Sequence, residues 1–311
     1  MAFTLPKSDP KQRIAVRRFA GTRPLQAQLD APLTVAHLTD QHFGRVTSDE
    51  LQWAAAELTN EAQPDLTVLT GDYVAHSLDY LGLLTEVIGA IRGPKVAVLG
   101  NHDHWAGARQ VRCALERAGV QVLMNEATVY SLRGQSLQLV GLDDAYTGHA
   151  DTGRALATMD PSLPSLGLSH IAEEADRLWG AGVSLVLSGH THSGQITVGG
   201  LHRFMLGKLA GHRYVHGLYG CRHGERAEGA VYVSAGIGAS VFGLRVGERA
   251  RPEVALFELG TSAEQGLEQA PHPGRRPSDR KEQQREEAVA RKRRRRDRLA
   301  RRASLLTLAE D

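Results

Sequence analysis

Short apolar runs alternate with segments of helical spacing through the first 120 positions. Leu33-Thr34-Val35-Ala36-His37-Leu38-Thr39 is almost continuously apolar, as a strand covered on both faces is. After Ser48 the period changes. Leu51, Ala54, Ala55 and Leu58 fall on one side of a helix over residues 48–62, capped by Ser48 or Asp49. Residues 66–70 and 95–99 read as two further buried strands. Residues 81–91 and 108–118 read as helices, the second stopped by Gly119. Strand, helix, strand, helix, strand predicts an α/β fold with a parallel sheet. The chain then turns β-rich. Short strands are expected at residues 121–124, 128–132, 137–142, 184–187, 231–234 and 254–259, with a helix at 171–179.

Patterning also divides the chain. Residues 1–24 carry few signals and read as an N-terminal extension to a domain of residues 25–260. Pro271, Pro273, Gly274 and Pro277 mark a linker over 261–280, and residues 281–311 form a basic, low-complexity tail. The net charge of +2 conceals this division. Residues 263–311 hold 14 Lys+Arg against 9 Asp+Glu, while residues 1–262 hold 23 against 26. A hydrophobic content of 41% in 311 residues excludes a wholly disordered or collagenous chain. Two cysteines, Cys113 and Cys221, cannot build a disulfide framework and are expected as small buried thiols in a reducing compartment. No stretch approaches the roughly 18 uninterrupted apolar residues of a membrane-spanning helix. A cytoplasmic protein is expected.

The chemistry-bearing residues cluster at strand ends. Asp40 and His42 follow the first strand, Gly71-Asp72 the second, and Gly100-Asn101-His102-Asp103 the third. Ser169-His170 and Gly189-His190-Thr191-His192 follow later apolar segments. Ligands of open α/β sheets bind outside the carboxyl ends of strands, so five strand ends deliver these residues to one edge. Carboxylate oxygen and imidazole nitrogen suit two divalent ions such as manganese, iron or zinc, and the lack of a cysteine argues against a structural zinc site. A carboxylate bridging two ions is the arrangement of many phosphate-cleaving enzymes. The glycines before Asp72, Asn101 and His190 are expected to let the backbone turn sharply.

These five blocks, in this order, resemble the calcineurin-like metallophosphoesterase superfamily. Val98 to Gly107, Gly141-Leu142-Asp143-Asp144, the Ser188 to Gln195 block and the Tyr232 to Gly238 segment resemble a bacterial branch of predicted phosphohydrolases. Relatives of that branch are linked to pyrophosphate cleavage in UDP-2,3-diacylglucosamine during lipid A synthesis. The resemblance covers about residues 33–260. It implies a four-layer sandwich of two β-sheets flanked by helices, followed by the basic tail, helical or disordered. It implies that Asp40, His42, Asp72 and His192 hold one metal and that Asp72, Asn101, His170 and His190 hold the other. A hydroxide formed on these ions would attack a phosphodiester or pyrophosphate. His102 would assist the leaving oxygen, and Asp103 would orient His102.

The chain departs from the family pattern at Ala235, where an arginine is common. The phosphate contact is then either missing or supplied by Arg245, Arg203 or Arg213, and Trp105 is expected to line the substrate entrance. A phosphomonoesterase or protein phosphatase is the same-class alternative; a non-enzymatic adaptor that binds through its tail is the other. The Arg291 to Arg302 segment is either a solvated helix or a contact for an anionic membrane surface at the inner membrane, with nucleic acid the lesser reading.

Overall fold

The structure is a computed structural model that describes residues 9–192, 212–220, 229–239, 245, 250–260, 283–284 and 287–298. Two six-stranded sheets pack face to face. The first runs in the order β1 (Ala15–Ala20), β12 (Glu253–Leu259), β2 (Leu33–Leu38), β3 (Leu66–Leu69), β4 (Lys95–Ala97), β5 (Val120–Val122). From β2 to β5 all neighbours are parallel, while β12 lies antiparallel to β2. The second runs β10 (Gly217–Gly220), β11 (Ala230–Val233), β9 (Leu185–Ser188), β8 (Ser165–Leu168), β7 (Gln135–Gly141), β6 (Glu126–Leu132). Its centre, β7 to β11, is parallel; β6 returns from β7 and β10 from β11 antiparallel.

Two covered faces and a period of two along each strand explain why these runs are mostly apolar on both sides. Leu33 and Val35, Leu66 and Val68, and Val96 and Val98 point into the layer between the sheets. There they meet Leu137, Leu139, Leu166, Leu168, Leu185 and Leu187. The opposite faces carry Ala36, Leu38, Leu69, Ala97 and Leu99. These pack under α2 (Asp49–Glu61), α3 (Leu81–Gly89) and α5 (Ala108–Arg117). The outer face of the second sheet, with Val140, Val186 and Val231, is covered by Ala155 of α6 (Thr152–Ala157) and by Ala175 and Leu178 of α7 (Ala175–Trp179). The architecture is therefore the expected α/β four-layer sandwich.

Several elements differ from the sequence reading. Residues 15–20, assigned there to the N-terminal extension, form edge strand β1 in parallel register with β12. Its outer positions Val16 and Arg18 are exposed, so the apolar pattern of a central strand is missing. The helix expected at 171–179 is a 3-10 turn, Ala172–Glu174, followed by the short α7. Cys113 is exposed on α5, against the buried thiol expected, and Cys221 lies outside the described residues. So do Ser193 to Gln195 and the linker.

Part of the basic tail folds back. Residues 287–298 form a helix against the segment that follows β7. Lys292 Nζ donates to the Tyr146 carbonyl at 2.9 Å and sits 3.7 Å from the Tyr146 ring centre. Arg293 pairs with Asp151 at 2.9 Å, and Arg296 donates to the Gly148 carbonyl at 2.7 Å. Among the described residues no helix is long and apolar enough to cross a membrane.

Candidate metal centre

The C-terminal ends of β2, β3, β4, β8 and β9 meet at one edge of the two sheets. Backbone bonds tie the loops together there. Asp40 N–H donates to Gly71, His42 N–H to Asp72 and Gly189 N–H to His170. Asp40, His42, Asp72, His190 and His192 all take positive φ, between 46° and 77°. A non-glycine residue in that region stores strain of about 1–3 kcal/mol, which persists only where surrounding contacts over-determine it. The expected glycine turns are therefore made largely by the candidate ligand residues themselves. Of the three glycines only Gly71 has positive φ. Gly100 and Gly189 serve close approach instead. A Cβ on Gly100 would strike the Asp72 carboxylate, and one on Gly189 would strike Asp40 and Thr39.

Two groups of donors result. Asp40, His42, Asp72 and His192 bring ligand atoms within 4.8 Å of one another, and Asp72, His170 and His190 do the same. Asp72 Oδ2 borders both, 3.7 Å from His42 Nε2 and 3.2 Å from His170 Nε2. Asp72 Oδ1 accepts the His102 backbone N–H at 2.8 Å. In the first group His42 Nε2 and His192 Nε2 are 2.8 Å apart, and His192 Nε2 is 3.3 Å from Asp40 Oδ1. Donors bound at about 2.1 Å and at right angles to each other lie about 3 Å apart, so these spacings suit a shared cation.

Unsatisfied atoms test the fit. His170 donates Nδ1–H to the Thr70 carbonyl at 2.7 Å, which leaves a lone pair on Nε2. That Nε2 and the side-chain oxygen of Asn101 are both buried without a hydrogen bond. A buried acceptor in that state is costly unless a cation meets it. The field points the same way. Burial raises a carboxyl's pKa, yet the surrounding imidazoles hold Asp40 and Asp72 well below the usual range. Burial disfavours a charged His170, yet Asp72, Asp40 and Asp144 raise it to about 10, so a cation bound there would take the place of the proton on Nε2. Burial drives His190 and His192 down to about 3, so both present neutral, lone-pair-bearing rings. Two buried carboxylates beside the neutral His190 and His192 rings fit divalent metals, and the oxygen and nitrogen donors suit manganese, iron or zinc.

The remaining site residues fall differently from expectation. Asp103 does not touch the His102 ring. Its carboxylate accepts four backbone N–H groups, from Asp72 (2.9 Å), Tyr73 (2.8 Å), Val74 (3.3 Å) and Gly100 (2.8 Å). As the third residue of α4 (Asn101–Ala106), it reaches back to the N–H of the residue that precedes the helix. His102 is oriented instead by the Ala75 carbonyl, which accepts from Nδ1. Its ring lies 4.7 Å from His42 and 4.9 Å from Trp105. Trp105 is 59% exposed and meets Tyr146 edge-on, which places it at the mouth of the site. Arg245 is turned to the backbone. Its terminal nitrogens donate to the carbonyls of Ala235, Gly236, Gly238 and Ala250 and lie 3.4 Å from His192 Nδ1. It braces the loop and the His192 ring. The His212 ring lies 5.3 Å from His190, in keeping with the histidine-bearing segment after the last motif block being a loop over the site. Tyr146, whose ring lies 5.4 Å from His190, belongs to no motif block, so no pattern signalled it.

Residues 33–194 match the family model described as calcineurin-like phosphoesterase. The chain is 32% identical over 237 residues to the phosphodiesterase YaeI of Escherichia coli K12, covering 74% of this chain and 83% of that one. It is 30% identical over 233 residues to the metallophosphoesterase YkuE of Bacillus subtilis 168, covering 72% and 76%. The chain thus belongs to the calcineurin-like phosphoesterase family and is a metal-dependent phosphoesterase, a hydrolase.

Proposed function

We propose that this chain hydrolyses a phosphodiester or pyrophosphate bond at a two-metal centre. The observation that carries this reading is the position of Asp72 Oδ2 between the two donor groups. Asp40, His42, Asp72 and His192 would hold one ion, and Asp72, Asn101, His170 and His190 the other. When bound, the ions supply Lewis acidity and lower the pKa of water so that it attacks at neutral pH. The protein's part is positional. The His102 backbone N–H fixes Asp72 Oδ1, and the Thr70 carbonyl turns His170 so that Nε2 faces inward. With Nδ1 held by Ala75, the His102 ring can turn Nε2 to the leaving oxygen, either to donate a proton or to balance developing charge. The similarity to a protein named as a phosphodiesterase favours a diester over a monoester.

The deciding experiment loads the purified chain with manganese, iron or zinc and measures metal content and turnover together. About two ions per chain are expected, with faster hydrolysis of bis(4-nitrophenyl) phosphate than of 4-nitrophenyl phosphate. Absence of bound metal and of turnover would sink the reading. UDP-2,3-diacylglucosamine and cyclic nucleotides complete the panel, since the bacterial resemblance points to a lipid-linked pyrophosphate. Arg291, Arg294, Arg295 and Arg298 are exposed on the tail helix and form the candidate contact for an anionic membrane surface. Sedimentation with phosphatidylglycerol vesicles tests that contact.

A further inference from the structure

A cavity of about 230 Å³ opens beside the second donor group, between the body and the tail helix. Ala145, Ala150, Ile171 and the Tyr146 ring line its body side, and Val289 and Ala290 line the other. It begins one side chain away from the proposed ligands. Ile171 follows His170 in the chain, and Tyr146 and His212, both in the lining, pack against the His190 ring. The helix is not laid loosely over this space. Lys292, Arg293 and Arg296 engage three successive points of the 146–151 segment. Gly148 makes the approach possible, because a Cβ there would come within 3.0 Å of the Arg293 backbone nitrogen.

We propose that this cavity receives an apolar or aromatic ester group of the substrate, so that the tail helix is a specificity element of the active site. The inference rests on the phosphoesterase reading for the position of the phosphoryl group. The size is apt: an apolar cavity of roughly 150 Å³ admits benzene, so this one holds a substituted ring or a short alkyl chain, though not a whole nucleotide. The lining is apolar where the helix meets Ile171, and Arg177 and Arg293 stand at the rim, each facing a carboxylate, Glu174 and Asp151. An uncharged group is the occupant that such paired charges leave undisturbed.

The test uses the full-length, manganese-loaded protein and two ligands that differ only in their apolar part, phenylphosphonate and methylphosphonate. Calorimetric titration is expected to show the phenyl compound binding about tenfold tighter. Ala290→Trp, which fills the cavity, should bring that ratio to within about twofold. A second variant, Lys292→Glu with Arg293→Glu, undocks the helix and should do the same while circular dichroism shows the body folded. For bis(4-nitrophenyl) phosphate the loss should fall on KM. Equal affinity for the two phosphonates in the parent protein, or a ratio unchanged in both variants, would overturn the proposal. A persistent phenyl preference with no turnover of any ester would sustain the cavity and overturn the hydrolase reading instead.

Discussion

The carboxylate of Asp103 accepts the backbone N–H of Asp72 at 2.9 Å, so one acidic residue holds in place the loop that presents another. The two side chains repel each other. Burial and the nearby Asp72 push Asp103 up to about 7, against the opposing pull of its N–H donors. A cation on Asp72 would relieve that repulsion and so would couple the geometry of this loop to metal binding.

Asp103→Asn tests the coupling. The amide replaces an anionic acceptor of four N–H groups with one neutral oxygen and an NH2 facing donors. The expected cost is about 3 kcal/mol of stability, with metal affinity about tenfold weaker or worse. Thermal melts and metal titration measure both. Had Asp103 served only to orient His102, the variant would keep its metals and lose turnover alone.

Gly189→Ala should damage the first donor group without unfolding the chain. The added methyl collides with the Asp40 carboxylate and with Thr39. Asp40 can yield only by breaking its bonds from the His190 N–H at 3.0 and 3.2 Å. A fall in bound metal from two ions toward one is expected, with far-UV circular dichroism unchanged. Full metal content would show that the loop relaxes.

His102→Ala removes the ring that Ala75 orients while leaving the His102 backbone N–H on Asp72. Turnover of a diester should fall by about 10²–10⁴, the usual worth of a general acid or base, with two ions still bound. A variant that loses metal would identify His102 as a ligand.

The parallel core of the fold was legible because β2, β3 and β4 are buried on both faces and so carry mostly apolar runs. The clustering of the candidate ligand residues was legible because they come just after such runs. Edge and short elements were not. β1 alternates half-buried and exposed residues over its first four positions, and β10 is the four residues Gly217–Gly220. The partner of Asp103 was misread for a physical reason. Adjacency in sequence suggested the His102 ring, but on α4 the two side chains diverge, and the N-terminal position of Asp103 turns it back on the preceding loop. The docking of the tail depends on Gly148 and on charges about 145 residues away in sequence, which no local pattern encodes.

Glu253 gives a prediction at the far side of the site. It is 2% exposed and joins β12 to the loop behind Asp40. It accepts from the Ala235 N–H at 2.8 Å and from the Tyr232 hydroxyl at 2.7 Å, with Arg17 and His216 each at 3.5 Å. The same loop returns to the first sheet, where Ile237 N–H donates to Thr39 and Gly238 N–H to Asp40. Burial alone would raise the Glu253 pKa; His216, Arg17 and the Tyr232 hydroxyl outweigh it and hold the carboxyl well below its ordinary 4.5. A depressed folded-state pKa contributes stability that is complete above the unfolded value and lost as pH falls below it. Glu253→Gln should therefore cost about 2–3 kcal/mol at pH 7. In urea denaturation the gap between parent and variant should narrow steadily from pH 5 toward pH 3, because the unfolded parent takes up a proton there that the folded carboxyl still excludes. A gap independent of pH would mean that packing, not ionisation, accounts for the role of Glu253.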